Sequence, residues 1–184
     1  MNNFFDLLID KQTSLEYGEY EECIFENCDF SNADLSNFTF SDCQFKNCNL
    51  SLASISNTAF KKVNFEECKL VGVRFDTANN LLFTVHFKNC QLTYASFYRK
   101  NMKKASFISC SLEQVDFTET ILSEAKFSDS NLLYAVFYQT NLEKADLITA
   151  KNYTIDPSQN FLKKAKFSID GVLGLLTAFD IVVK

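Results

Sequence analysis

The bulky apolar residues of this chain fall five apart. From Phe25 they run Phe25, Phe30, Leu35, Phe40, Phe45, Leu50, Ile55, Phe60, Phe65, Leu70 and Phe75 without a break. After a slip of two residues the series resumes as Leu82, Phe87, Leu92, Phe97, Met102, Phe107, Leu112, Phe117, Leu122, Phe127, Leu132, Phe137, Leu142 and Leu147. A second register of mostly small residues stands two positions earlier: Cys23, Cys28, Ala33, Cys43, Cys48 and Ala53, then Ala95, Ala105, Ala125, Ala135 and Ala145. An amphipathic helix repeats its apolar face at three and four and a half-buried strand at two, so neither sustains five. A chain that turns a corner every five residues does. The pattern predicts stacked coils, with the small and the bulky residue of each unit pointing inward.

Units such as Ala33-Asp34-Leu35-Ser36-Asn37 and Ala145-Asp146-Leu147 carry the signature A(D/N)Lxx, and from about Tyr20 to Ala150 the chain resembles the pentapeptide-repeat family. The resemblance implies an all-β fold, a right-handed quadrilateral parallel β-helix with one pentapeptide on each side. A period of twenty agrees with four sides. Phe25, Phe45, Phe65, Phe87, Phe107 and Phe127 align once the slip is allowed, as do Cys28, Cys48, Cys68, Cys90, Cys110 and Ser130, and Leu35, Ile55, Phe75, Phe97, Phe117 and Phe137. Vertical columns of this kind are what a solenoid of stacked repeats produces. About six coils rising about 4.8 Å each give a rod about 30 Å long.

A solenoid leaves open backbone edges only at its two ends, and each needs a cover. The chain therefore divides into an N-terminal cap over 1–19, a solenoid over 20–150 with its slip near 76–84, and a C-terminal segment over 151–184. In the first, Phe4, Phe5, Leu7, Leu8 and Ile9 are expected to form a helical turn or two over the starting coil. Beyond Asn152 the five-residue period stops, and the chain ends in an apolar tail of Val172, Leu173, Leu175, Leu176, Phe179, Ile181, Val182 and Val183. Such a tail is unstable in water. It can cap its own coil, or it can join two copies about a two-fold axis, as the resemblance to quinolone-protection members of the family implies. The expectation is a cap that also dimerises, through Val172, Leu175, Leu176, Phe179 and Ile181.

Composition narrows the chemistry. The chain has 20 Phe, no Trp, 1 His and 7 Cys, and all seven cysteines occupy the small inward position. Their C-x4-C spacing places neighbours on different walls, without histidine beside them, so they read as small buried hydrophobes rather than metal ligands or disulfides. His86 directly precedes Phe87 and reads as a lone surface histidine. Asp34, Asp116 and Asp146 hold the ordinary polar position of the repeat, where they can pair with turn backbone. No Gly-rich phosphate loop and no nucleophile-base pair is readable. The expectation is a protein that is not an enzyme and has no cofactor or metal. The N-terminus has no basic start, which excludes a secretory signal or membrane anchor and predicts a cytoplasmic protein with no membrane partner.

The functional question rests on the outward residues. Residues 1–76 hold 13 acids and 6 bases, whereas 77–184 hold 10 acids and 12 bases. The acids Glu16, Glu19, Glu21, Glu22, Glu26, Asp29, Asp34, Asp42, Glu66 and Glu67 gather in the N-terminal coils, and Lys100, Lys103, Lys104, Lys163, Lys164 and Lys166 enrich the other half. Tyr94 with Tyr134, and Tyr98 with Tyr138, are each forty residues apart, hence two coils apart on one line. Two functions follow. The resemblance implies a DNA-mimicking binder of DNA gyrase or topoisomerase IV that protects these type II topoisomerases from quinolones. On this reading Glu26, Asp29, Asp34, Asp42, Glu66 and Glu67 occupy a groove built for phosphates. The alternative is a general interaction scaffold for a protein partner, with Tyr94, Tyr98, Tyr134 and Tyr138 as its contact surface. Neither requires direct nucleic-acid binding. Quinolone-protection members carry projecting loops; this chain has no interruption from Phe25 to Phe75 and only the slip around Asn79 to Phe83.

Overall fold

The computed structural model describes residues 2–179 and 181–182. Its strands are short and parallel, and each residue pairs with the one a full coil later. Tyr20 pairs with Phe40 and Phe40 with Phe60, Phe25 with Phe45 and Phe45 with Phe65, and Asp29 bridges to Asn49 and Asn49 to Lys69. The result is a parallel β-solenoid of about eight turns, which at about 4.8 Å per turn is about 40 Å long. That exceeds the expected six coils because both ends add turns.

The corners explain the period of five. Two residues after nearly every bulky one, though not after Phe75 or Leu147, the backbone enters the left-handed region: Asn27 has φ +54°, Asn32 +56°, Asn37 +65° and Asp42 +53°. Asn and Asp tolerate this conformation better than other L-residues, so they recur there. The amide three residues on closes the turn onto the bulky residue's carbonyl, as from Ala33 to Phe30 at 3.1 Å and Ala95 to Leu92 at 2.9 Å. Asparagines stacked on one corner also bond to each other: Asn57 Nδ2 donates to Asn37 Oδ1 and Asn79 Nδ2 to Asn57 Oδ1, both at 2.9 Å.

We label the four sides by their inward columns. Face A carries Phe25, Phe45, Phe65, Phe87, Phe107 and Phe127, whose rings stack with centroids 4.4 to 5.3 Å apart. Face B carries the thiols Cys28, Cys48, Cys68, Cys90 and Cys110, then Ser130. Face C carries Leu35, Ile55, Phe75, Phe97, Phe117 and Phe137. Face D carries Phe40, Phe60, Met102, Leu122 and Leu142. All seven cysteines are buried and free. Three thiols of the ladder reach the carbonyl of the coil below: Cys48 Sγ donates to Phe25 O at 3.4 Å, Cys68 Sγ to Phe45 O at 3.3 Å and Cys90 Sγ to Phe65 O at 3.4 Å. Ser130 Oγ takes the same role toward Phe107 O at 3.1 Å, and on face D Thr58, Thr120 and Thr140 do likewise. The small inward position therefore supplies a donor as well as space.

Four expectations are corrected. First, the N-terminal residues form strands, not a helical turn. β1 (Asn2–Phe5) pairs with β3 (Gly18–Glu21), and β2 (Leu8–Asp10) with β4 (Ile24–Glu26). Pairing satisfies the open edges of β3 and β4, which a helix laid over them leaves unbonded. Gly18 permits it: a Cβ there would stand 2.4 Å from Asn2 O. Second, Leu82 does not continue the inward series. It is 68% exposed at a left-handed corner, and Phe83 enters the core beside Phe60 and Phe75.

Third, Lys100 is not a surface lysine. It is 1% exposed, in the face D column of Thr58 and Thr120. Below it lies the slip, and Lys100 Nζ donates to the Ala78 carbonyl there and, at 2.7 Å, to Asn80 Oδ1. Burial holds its pKa below the usual lysine range, against the pull of Asp76. Fourth, the coil outlasts the sequence period. Asn141 bridges to Phe161, and Asp146–Leu147 pairs with Lys166–Phe167, each twenty residues on.

The tail then folds over the last coil as the short helix α1 (Leu173–Leu176) and a 3-10 turn over Thr177–Phe179. Ile155 N donates to Gly174 O at 3.0 Å. Gly171 and Gly174 lie against Tyr153, where a Cβ would meet Tyr153 atoms at 2.1 and 2.2 Å. Val183 lies outside the described residues. Among the described residues no helix is long and apolar enough to cross a membrane.

Candidate functional site

The outward side chains come from three positions of each unit, so every face presents vertical stripes. The acids singled out from the sequence fall on different stripes. Glu26 and Glu66 share one stripe of face A with Lys46 and Lys88, in the order Glu26, Lys46, Glu66, Lys88. The signs alternate and the groups pair, Lys46 with Glu26 at 3.7 Å and Lys88 with Glu66 at 2.6 Å. Pairing with Lys88 holds the Glu66 carboxyl below its usual range. Asp29 on face B and Asp34 on face C each accept a backbone N–H two residues on, from Ser31 at 3.0 Å and Ser36 at 2.9 Å, which holds both carboxyls down. Asp42 stands on the corner between faces D and A, below Lys62 at 3.2 Å, and Glu67 on the corner between A and B. The same D/A corner stacks Asp6 and Glu22 beneath Asp42.

The tyrosines, in contrast, frame one surface. Tyr94 and Tyr134 occupy the left-handed corner between faces B and C, with φ +62° and +59°, and are 58% and 73% exposed. Gln114 lies between them, its Nε2 donating to Tyr94 Oη at 3.1 Å. Tyr98 and Tyr138 line the opposite edge of face C. Tyr98 is held: the Arg99 guanidinium lies 4.7 Å over its ring and forks onto Glu119 one coil up, with Nε to Oε2 at 2.7 Å and Nη2 to Oε1 at 3.1 Å. The middle of the surface is the ladder Ser96, Asp116, Val136. Asp116 Oδ1 accepts the Thr118 N–H at 2.9 Å, and among the described residues the carboxylate has no ion-pair partner. Sequence reading placed Asp116 at an ordinary repeat position; the twenty-residue alignment that paired the tyrosines also sets it between them.

His86 faces outward at the middle of face A, half-buried, with Ser106 N donating to its Nδ1 at 3.2 Å and burial lowering its pKa. It lines a shallow cleft of about 340 Å³ together with Gln44, Asn64 and Lys88. At the C-terminal end of the rod Leu175 packs partly on the core, while Val172, Leu173, Phe179 and Ile181 stay exposed and Leu176 half-buried.

Comparison with known proteins agrees with this architecture. Among solved structures, the chain is similar to QnrB1, a plasmid-mediated fluoroquinolone resistance protein. The full-length form is 21% identical over 98% of this chain and 99% of that one, with a TM-score of 0.57, and a trypsin-treated form is 20% identical over 100% of both, with a TM-score of 0.58. It is also similar to HetL, a pentapeptide repeat protein involved in heterocyst differentiation regulation from the cyanobacterium Nostoc sp. strain PCC 7120, at 16% identity over 92% of this chain and 90% of that one, TM-score 0.55. At these identities the likeness is one of fold. No curated protein sequence matches the chain. The family profile described as the pentapeptide repeat region matches residues 19–81 and 80–159, well over half of the chain. With its coils, corners and inward columns, this protein belongs to the pentapeptide-repeat family.

Proposed function

We propose that the protein is a non-enzymatic scaffold that binds a partner protein through the tyrosine-framed half of face C and pairs with a second copy through its C-terminal end. The conformation of Tyr94 and Tyr134 carries the reading. Their column on the B/C corner otherwise holds Asn32, Leu52, Gly72 and Gln114, of which Asn32, Gly72 and Gln114 are suited to a left-handed turn or to water. A tyrosine there costs about 1 kcal/mol or more in backbone strain, and at 58% and 73% exposure it recovers little by burial. Strain held without return in the free molecule supports a role in binding. The exposed Val172, Leu173, Phe179 and Ile181 on the end coil support the two-fold pairing.

The test is the double variant Tyr94→Asn, Tyr134→Asn. Its free energy of unfolding is expected to rise by about 1 kcal/mol or more, while proteins that co-purify with the unaltered chain are lost. If those proteins still co-purify, face C is not the partner surface.

A second reading, binding of a type II topoisomerase with quinolone protection, draws on the D/A corner. There Asp6, Glu22 and Asp42 stack one coil apart beside Glu19 and Glu21, below Lys61 and Lys62 on the next coil. A carboxylate ladder of this kind is attracted to a groove that neutralises phosphates. Titrated into a gyrase supercoiling reaction with and without fluoroquinolone, the protein is expected to inhibit or rescue at low micromolar concentration, and Glu22→Gln with Asp42→Asn to abolish the effect. No effect in either arm would retire this reading.

A further inference from the structure

We infer that the tyrosine-framed surface of face C receives an arginine-bearing extended segment of the partner protein, its guanidinium stacked on Tyr94 or on Tyr134 and forked by Asp116. The inference rests on the preceding reading of face C as the partner surface and names the chemistry it recognises.

The geometry follows from the coil. Tyr94 and Tyr98 stand on one rung and Tyr134 and Tyr138 two rungs above, about 10 Å away at the spacing of paired strands. Asp116 occupies the rung between, bridged to Ser96 below and Val136 above. All four tyrosine Cα atoms then lie within about 8 to 9 Å of its own. A carboxylate with tyrosines on the rungs below and above it suits a cation, and a planar guanidinium suits it best, because it stacks on a ring and presents paired donors to a carboxylate.

The molecule already contains this arrangement, satisfied internally. At the other edge of the same face, Arg99 lies over Tyr98 and forks onto Glu119, a carboxylate one rung higher. Tyr94 and Asp116 repeat the relation of a ring and a carboxylate one rung up, but with no arginine of the chain between them. Charge agrees. On the rungs of residues 94–99, 113–119 and 134–139 the charged residues are Arg99, Glu113, Asp116 and Glu119, a net of −2. Arg99 is engaged with Glu119, and Glu113 accepts Asn131 Nδ2 at 2.7 Å, so Asp116 is the carboxylate open to a partner.

The probe is a fluorescein-labelled decapeptide of alternating Ser and Arg, compared with the same peptide carrying citrulline, which keeps the shape and removes the charge. Against the full chain, fluorescence anisotropy is expected to show the arginine peptide binding at least tenfold more tightly than the citrulline one, weakening as salt rises. Asp116→Asn and Tyr134→Ser should each weaken it at least fivefold, with circular dichroism unchanged. Glu22→Gln with Asp42→Asn, acids of another corner, should not. Three results overturn the inference: no binding at millimolar peptide, equal binding to Asp116→Asn, or loss with the Glu22 and Asp42 variant instead. If Asp116→Asn keeps the peptide and the co-purifying proteins while Tyr94→Asn, Tyr134→Asn loses those proteins, the partner surface stands and its arginine specificity falls. If the tyrosine variant loses nothing, both fall.

Discussion

Phe97→Ala is expected to lower the free energy of unfolding by about 3 to 5 kcal/mol, the cost of deleting a buried aromatic ring and leaving its cavity. Phe97 is fully buried and stacks between Phe75 and Phe117, at 4.8 and 5.5 Å, with Phe87 and Phe107 edge-on at 5.9 Å each. The surrounding rings are fixed by their own backbone ladders and cannot collapse into the gap. Urea unfolding measures the loss. Each coil touches only its neighbours, so hydrogen exchange should accelerate in the coils that contain Phe75, Phe97 and Phe117 and stay slow around Phe25 and Phe45. Phe161→Ala, at a ring 60% exposed, should change stability by less than about 0.5 kcal/mol. A loss as small for Phe97 would show that the aromatic columns fill space without holding the coils together.

Raising the pH above 9 should destabilise the rod progressively. Two inward thiols and a buried tyrosine are the cause. Burial pushes Cys43 from its ordinary 9.0 up to about 12 and Cys28 up to about 11, and burial, aided by Glu16 and Cys23, takes Tyr20 from 10.0 to about 12. Above pH 9 the unfolded chain therefore releases protons that the folded chain keeps. Its stability falls from pH 9 until the folded groups also ionise near pH 11 to 12, by about 1.4 kcal/mol per pH unit for each such thiol.

Lys100 acts in the opposite direction. Its pKa is lowered in the fold, so the unfolded chain binds the extra proton and stability rises with pH between its folded value and 10.5. One lysine offsets only part of the contribution of the thiols. Urea unfolding at pH 8, 9, 10 and 11 should show a steady decline, shallower in Cys43→Ala by about 1.4 kcal/mol per pH unit. A flat profile from pH 8 to 11 would mean that the thiols ionise as readily inside as outside.

The amino-acid sequence alone determined the solenoid, its four faces and the contents of its core columns. In a stack of coils each residue meets the residue one period away, so a repeat of five and twenty already states most of the contacts. Phe25 over Phe45, the Cys28 to Cys110 ladder and the alignment of Tyr94 with Tyr134 were all legible this way. The tertiary structure decided what depends on departures from that period. The N-terminal residues pair sixteen residues on rather than twenty, which makes strands of Asn2–Phe5 and Leu8–Asp10. At the slip, where the offset becomes twenty-two, Phe83 rather than Leu82 turns inward and Lys100 donates to the Ala78 carbonyl.

The functional surface divides along the same line. The chain shows which tyrosines and acids point outward, because that is a property of each unit. Which of them meet across a corner depends on where the coil bends and on the reach of long side chains. Glu26 and Glu66 are tied into a ladder with Lys46 and Lys88, Arg99 is claimed by Tyr98 and Glu119, and Asp116 stays open between two rows of tyrosine. These are relations between side chains on different rungs, and they arise only once the coils are stacked.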